Sequence, residues 1–164
     1  MSDGVEVRTA REDEYAAVGE LTLDGYVHDG FLTRETDYAE HLLDAAHRAV
    51  DAELVVAVDA NGLLGTVTFC PPGSPLRELS QDGEAEFRML AVEPTARGRG
   101  VGRALVEHCF TRARELGLED MVICSMSRMT AAHRLYDAMG FVREPALDWE
   151  PVPDVLLLAF RRPV

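Results

Sequence analysis

The sequence predicts a mixed sheet with helices packed on it, an α/β (α+β) architecture, and three observations predict it. Two apolar runs flank the turn signal Asp59-Ala60-Asn61-Gly62, which makes 53–69 a hairpin and part of the sheet antiparallel. In the second half, strand-length apolar runs alternate with amphipathic runs of helix length. The chain has 164 residues, 47% hydrophobic and 27% charged, enough to close one core. No repeat or linker interrupts it, so 1–164 is expected to be a single domain.

The elements follow in order. "VEVRTA" (5–10) alternates and reads as a strand. Thr9 to Glu12 reads as a capping box, with Thr9 as N-cap, opening a helix from about Arg11 to Gly25. Tyr15, Val18 and Leu21 share its apolar face. Residues 24–36 read as a loop, and 37–51 as a second helix with Tyr38, Leu42, Ala45 and Ala49 in register. After the hairpin, 70–84 is a Pro/Gly-rich loop and "AEFRMLAV" (85–92) a strand, stopped by Pro94. Residues 101–117 form a strong amphipathic helix. Val101, Leu105, Cys109, Ala113 and Leu116 are its buried stripe and Gly117 its C-cap. "MVICSM" (121–126) is an apolar strand, and 130–140 a short helix ending at Gly140. "FVRE" and "VLLLAF" (155–160) are the last two strands, around the loop "PALDWEPVPD".

Composition narrows function. A net charge of −13 argues against nucleic-acid binding, which needs a broad basic face, and suits a cationic small molecule drawn in by a negative field. No apolar run is long enough to span a bilayer, and "MSDGVEVRTA" lacks the charged and apolar regions of a secretory signal. Cys70, Cys109 and Cys124 are few, odd in number and far apart, which suggests reduced thiols and a cytoplasmic setting. No Cys/His cluster has metal-ligand spacing, so no metal is expected.

One stretch opposes the acidic background. In "RGRGVGR" (97–103), Arg97, Arg99 and Arg103 alternate with Gly98, Gly100 and Gly102, against 29 acidic residues in the chain. The stretch lies between a strand ending at Val92 and a helix starting near Val101. A helix N-terminus offers unpaired N–H groups and partial positive charge, and glycine lets backbone approach a ligand closely. Together they make an anion cradle suited to phosphate. A P-loop is excluded because no Lys-Ser or Lys-Thr follows. A dinucleotide fingerprint is excluded because its third glycine would fall on Arg103.

"LAVEPTARGRGVG" does fit R-x-x-G-x-G following L-A-V-x-P. It closely resembles the coenzyme-A pyrophosphate loop of the GNAT superfamily of acyl-CoA-dependent N-acetyltransferases. "HRLYDAMGF" (133–141) resembles the same family's Leu-Tyr-x-x-x-Gly-Phe segment, and the spacing between the two agrees. The resemblance is strong from about Ala85 to Phe141. It implies a mixed, mostly antiparallel sheet of about six or seven strands flanked by about four helices. It also implies direct transfer of an acetyl group from acetyl-CoA to a primary amine in a ternary complex, with no metal and no covalent intermediate.

The resemblance further implies residue roles. Leu90, Ala91 and Val92 would pair by backbone with the pantetheine arm, and an N–H near Leu90 would polarise the thioester oxygen. Arg97, Gly98, Arg99, Gly100, Val101, Gly102 and Arg103 would cradle the pyrophosphate. Tyr136 would protonate the departing thiolate, since a phenol is protonated at neutral pH. Glu86 stands where many relatives carry the base; an exposed strand glutamate paired with an arginine would look the same. Met129 departs from the pattern, occupying the place of a cofactor-contacting asparagine. Cys124 lacks an evident activator and reads as core. The acceptor should meet the variable loops carrying Asp24, Tyr26, Asp29 and Phe31, and later Asp148, Trp149, Glu150 and Asp154. Expected partners are a small-molecule amine acceptor, neither nucleic acid nor membrane, with a homodimer left open. Two alternatives stay open: a non-catalytic acyl-CoA-binding or sensory module, and a protein N-terminal or lysine acetyltransferase.

Overall fold

In the computed structural model, residues 4–164 are described. The strands are β1 (Glu6–Thr9), β2 (Glu53–Asp59), β3 (Gly62–Cys70), β4 (Glu84–Val92), β5 (Asp120–Met126), β6 (Val142–Arg143), β7 (Trp149–Val152) and β8 (Val155–Pro163). The helices are α1 (Tyr15–His28), α2 (Ala39–Leu43), α3 (Ala45–Asp51), α4 (Val101–Glu115) and α5 (Thr130–Ala138). One sheet runs β1-β2-β3-β4-β5-β8-β6, with β7 also on β8, and only the β4–β5 pair is parallel among the described strands. The predicted architecture holds, with one strand and one helix more than the upper expectation.

The hairpin forms as the turn signal dictates. Asp59 accepts the N–H of Asn61 at 2.8 Å, and Gly62 takes φ +124°. β2 and β3 are central and buried along most of their length, so they read as continuous apolar runs. α4 lies on β3 and β4, burying Val101, Leu105, Val106, Cys109, Phe110 and Ala113. Gly65 on β3 permits that approach. A Cβ there would lie 2.9 Å from the Ala91 carbonyl and 3.0 Å from both Leu105 and Val101. This close seat fixes the α4 N-terminus beside β4.

Several sequence expectations are corrected. Thr9 stays in β1, and the carboxylate that caps the entry to α1 is Glu14, accepting the N–H of Arg11 at 2.7 Å. Glu14 is also gripped by Arg8 at 2.8 Å, a cross-element pair that local spacing does not reveal. α1 continues past Gly25 to His28, shortening the loop that follows. The helix expected over 37–51 is broken at Asp44 (φ −82°, ψ 65°), whose side chain caps α3 by accepting the N–H of His47 at 3.1 Å. Leu116 lies past the end of α4 and is exposed. β7 arises inside the expected loop "PALDWEPVPD" by pairing with β8, which no local pattern announces.

Candidate functional site

β4 and β5 pair at only two positions, Glu84 with Asp120 and Ala85 with Met121, and then separate. Beyond that point β4 is bonded on its β3 side alone. The β3–β4 register slips between Thr66 and Thr68, so that Val67 faces an extra residue, and Met89 takes φ +55°. This is a bulge, which turns the strand and re-aims its backbone groups. Past the bulge, the Glu93 N–H donates to the Leu64 carbonyl at 2.8 Å. By the alternation of an antiparallel ladder, the N–H and C=O of Val92 therefore point away from β3, into the opening.

That opening is a cleft of ≈ 410 Å³. Leu90, Ala91 and Val92 form one wall and Met129, Ala132 and Leu135 another, while Arg97, Gly98, Gly100, Val101, Gly102 and Arg103 close one end. Gly98 (φ +80°) and Gly100 (φ +78°) adopt the left-handed conformation, and Gly100 is the N-cap of α4. No side chain caps this helix start, in contrast to α3. The first-turn N–H groups of a 15-residue helix therefore face the cleft end uncapped. Nine of the ten residues expected around a cofactor line this one cavity.

The three loop arginines differ. Arg103 lines the cleft and makes no ion pair among the described residues. Arg97 is held by Asp29 at the end of α1, through two bonds of 2.7 and 2.9 Å. Arg99 pairs with Asp59 on the β2–β3 turn at 3.2 Å and is not part of the cleft wall.

Tyr136 lies on α5, one residue from the cleft-lining Leu135. Its ring sits among Phe87 of β4, Phe141 and Phe160 of β8, with centroids 6.0, 5.5 and 5.6 Å away. Burial pushes its phenol above the ordinary value, so it stays protonated at any physiological pH. Its hydroxyl makes no hydrogen bond among the described residues. His133, one turn earlier, engages the hydroxyl of Ser125 at 3.2 Å. Met129, at the site expected for an asparagine, lines the cleft and offers it a thioether rather than an amide.

Glu86 is not an exposed strand carboxylate. It is fully buried, and its oxygens accept the backbone N–H groups of Glu78 (2.9 and 3.1 Å), Leu79 (3.0 Å) and Ser80 (2.8 Å). Such a carboxylate fastens the loop before β4 and has little lone-pair capacity left for a substrate proton. Arg88, two residues on, pairs with Glu78 at 2.9 Å and donates to the Leu76 carbonyl (3.0 Å) and the Tyr38 hydroxyl (3.1 Å). The Cys124 thiol, on β5 across the opening, donates to Glu78 at 3.7 Å. Burial, followed by the negative Glu78, pushes that thiol up to about 12, so it is a neutral hydrogen-bond donor and not a nucleophile. Cys124 is half-buried at a polar cluster, not in the core. Glu78 and Tyr38 were missed in the sequence. The first lies in a segment readable only as a loop, and the second passes as a helix-face aromatic.

The carboxylates expected at the acceptor mouth are largely neutralised. Asp24 pairs with Arg34 (2.7 Å), Asp29 with Arg97 (2.7 Å) and Asp148 with Arg143 (2.7 Å). Glu150 and Asp154 make no ion pair among the described residues. Tyr26 and Phe31 line the cleft. Trp149 starts β7 opposite Leu157, whose other neighbour is Met126 at the open end of β5.

The family model for the acetyltransferase (GNAT) family matches residues 15–141, a span that contains the splayed strands, the glycine loop and Tyr136. An uncharacterized N-acetyltransferase of Schizosaccharomyces pombe is 31% identical over 106 residues, 64% of this chain and 61% of that one. A mycothiol acetyltransferase of Geodermatophilus obscurus is 29% identical over 149 residues, 87% of this chain and 46% of that one. The chain thus spans roughly half the length of these curated relatives. Among solved structures, a GNAT-family acetyltransferase of Staphylococcus aureus superposes with TM-score 0.77 at 13% identity, covering 97% of this chain and 98% of that one. The yncA protein of Salmonella typhimurium, solved with its cofactor acetyl-CoA, gives 0.69 at 22% identity, covering 98% and 94%. Fold, cleft and family model coincide on the same residues, and the chain belongs to the GNAT family of acetyltransferases.

Proposed function

We propose that this acetyltransferase moves the acetyl group of acetyl-CoA directly onto the primary amine of a small cationic acceptor, in a ternary complex and without a metal. One juxtaposition carries this: the uncapped, glycine-lined start of α4 opens into the same cleft as the unpaired edge of β4. The first suits a pyrophosphate and the second an extended amide-bearing arm, which are the two recognisable parts of coenzyme A. Backbone N–H groups at 98–103, with Arg103 and an Arg97 released from Asp29, would hold the diphosphate. The N–H and C=O of Val92 would pair with the arm, and the N–H of Leu90, just past the bulge, would polarise the thioester oxygen. Tyr136 would give its proton to the departing sulfur.

The acceptor assignment rests on charge. Net charge is −13, and Glu150 and Asp154 remain to colour the mouth after Asp24, Asp29 and Asp148 are paired. A cytoplasmic setting agrees with three free cysteines.

Calorimetry with coenzyme A on the wild type and Gly100→Val tests the cradle. A valine at φ +78° and beside the diphosphate should weaken binding by at least ~30-fold, roughly the loss of one or two charge-assisted hydrogen bonds, in a protein that still folds. Unchanged affinity in a folded variant would remove the cradle.

A further inference from the structure

We infer that Glu78 is the general base of the acetyl transfer and that Glu86 is the positioning residue that holds it in place. This rests on the acetyltransferase reading above. Glu78 lies in the loop before β4, yet its carboxylate is carried back between β4 and β5, beside the residues that line the cleft and not among them. Its backbone is exposed while its side chain is turned inward, 22% exposed. It reaches Arg88 on one strand (2.9 Å) and Cys124 on the other (3.7 Å). Continuing the two-residue parallel register would set Arg88 and Cys124 level with each other. The bulge that aims Leu90 begins one residue beyond Arg88. Glu78 therefore grips the last side chain before the bulge, and the backbone groups assigned to the thioester follow directly after that bulge. An amine seated between them would meet the carboxylate directly or through one water.

The anchoring follows from the hydrogen bonds. Loop carboxylates are mobile unless their backbone is tied. Here the N–H groups of three successive residues, Glu78 first, all end on the buried Glu86 carboxylate. Glu86 thus fixes the backbone from which Glu78 projects. Arg88 then fixes its head group, and is itself held by Leu76 and Tyr38.

The charged and titratable groups facing Glu78 are Arg88 and Glu86 on β4, Cys70 on β3, Cys124 on β5, and Tyr26 and Tyr38 from the α1–α2 region. Burial holds the Glu78 carboxyl above the usual carboxylate range, opposed by Arg88 and reinforced by Glu86. A base needs that direction of shift, toward the working pH.

The step balances simply. The acceptor ammonium gives one proton to the Glu78 carboxylate, and the freed nitrogen lone pair forms a bond to the thioester carbon. The carbon–sulfur bond breaks with its electron pair on sulfur. Sulfur takes the Tyr136 proton, and the second proton lost by the nitrogen restores the phenol through solvent. Products are the acetamide and the coenzyme-A thiol, with one proton passed from Glu78 to water.

The test measures thiol release from acetyl-CoA across pH, with spermidine, lysinamide, glucosamine and glutamate as acceptors. The variants are Glu78→Gln, Glu86→Gln and the double variant. Glu78→Gln should lower kcat by ~10²–10⁴-fold at neutral pH, and with spermidine the rate should recover as pH climbs toward the alkylammonium pKa of ~10. Acetyl-CoA KM should hold. Glu86→Gln should also lower kcat, and the double variant should be no slower than Glu78→Gln alone, because Glu86 acts through Glu78. Should Glu86→Gln not fold, Glu78→Asp replaces it, with an intermediate kcat and unchanged acetyl-CoA KM expected. Near wild-type turnover in Glu78→Gln overturns the base assignment and leaves the acetyltransferase standing. A wild type that binds acetyl-CoA but acetylates none of the four amines overturns both.

Discussion

Asp29 and Arg97 form a two-bond ion pair, 2.7 and 2.9 Å, that ties the end of α1 to the glycine loop at the cleft. A carboxylate thus occupies an arginine that a diphosphate would want. Binding then requires exchange of one anion for another.

Replacing Asp29 with asparagine removes that competition. Coenzyme-A affinity should rise by up to about fivefold, the most that an exposed pair of ~1 kcal/mol allows. Calorimetry at low and high salt checks this; weaker binding in Asp29→Asn would show that the pair pre-forms the site instead of guarding it.

Tyr136→Phe removes one phenol proton from the wall behind the cleft-lining Leu135 and nothing else that the structure uses. The ring contacts with Phe87, Phe141 and Phe160 survive, and the hydroxyl has no hydrogen bond to lose among the described residues. Thermal stability should therefore be unchanged while kcat falls ~10²–10⁴-fold. A large stability loss with intact turnover would make Tyr136 a packing residue.

How much of this was legible in sequence depends on where the information lies. The glycine loop and the α4 stripe are local and periodic, and both appear where expected, apart from Leu116 beyond the helix end. The β2–β3 hairpin is likewise written in its turn. Glu86 could not be read correctly from its own strand. Alternation shows that it shares a face with Glu84 and Arg88, but its partners lie six to eight residues back in a loop whose path no pattern fixes. Glu78 is hidden for the same reason: only the tertiary fold turns that loop into the gap between β4 and β5. Asp44 split one expected helix in two because its side chain satisfies a helix start better than it continues one. The acidic mouth inferred from charge alone was thinned by arginines from distant segments, Arg34, Arg97 and Arg143.

Cys124 should be inert. With its thiol pushed up to about 12 by burial and by Glu78, almost none is thiolate at neutral pH. Iodoacetamide at pH 7.5 (roughly five units below that value, on the usual thiol scale) should leave it unmodified in the folded protein, as read by mass spectrometry. Cys124→Ala should keep most of the turnover. Rapid alkylation with loss of activity would point to a thiol in the chemistry.

Acid should destabilise the fold over a defined window. Arg8 holds the Glu14 carboxyl at about 2, and Arg143 holds Asp148 at about 2. Both lie below the ordinary value of ~4, so between those limits the unfolded chain binds more protons than the folded one. Their contribution is complete above pH ~4 and is lost as pH falls toward ~2. Melting temperature should be flat from pH 7 to 5 with respect to these groups and drop below ~4, and Glu14→Gln should blunt the drop. An acid limb identical in that variant would exclude the Glu14 pair.

The most direct measurement pairs thiol release with product identification. Acetyl-CoA and the protein are mixed with spermidine, lysinamide, glucosamine or glutamate. Free thiol is followed by colour and the amine by mass spectrometry. The expected result is coenzyme A and N-acetylated amine appearing one for one, fastest with spermidine or lysinamide and slowed by salt. Tight binding of acetyl-CoA with no acetylated amine from any acceptor would contradict the assignment of this cleft to acetyl transfer.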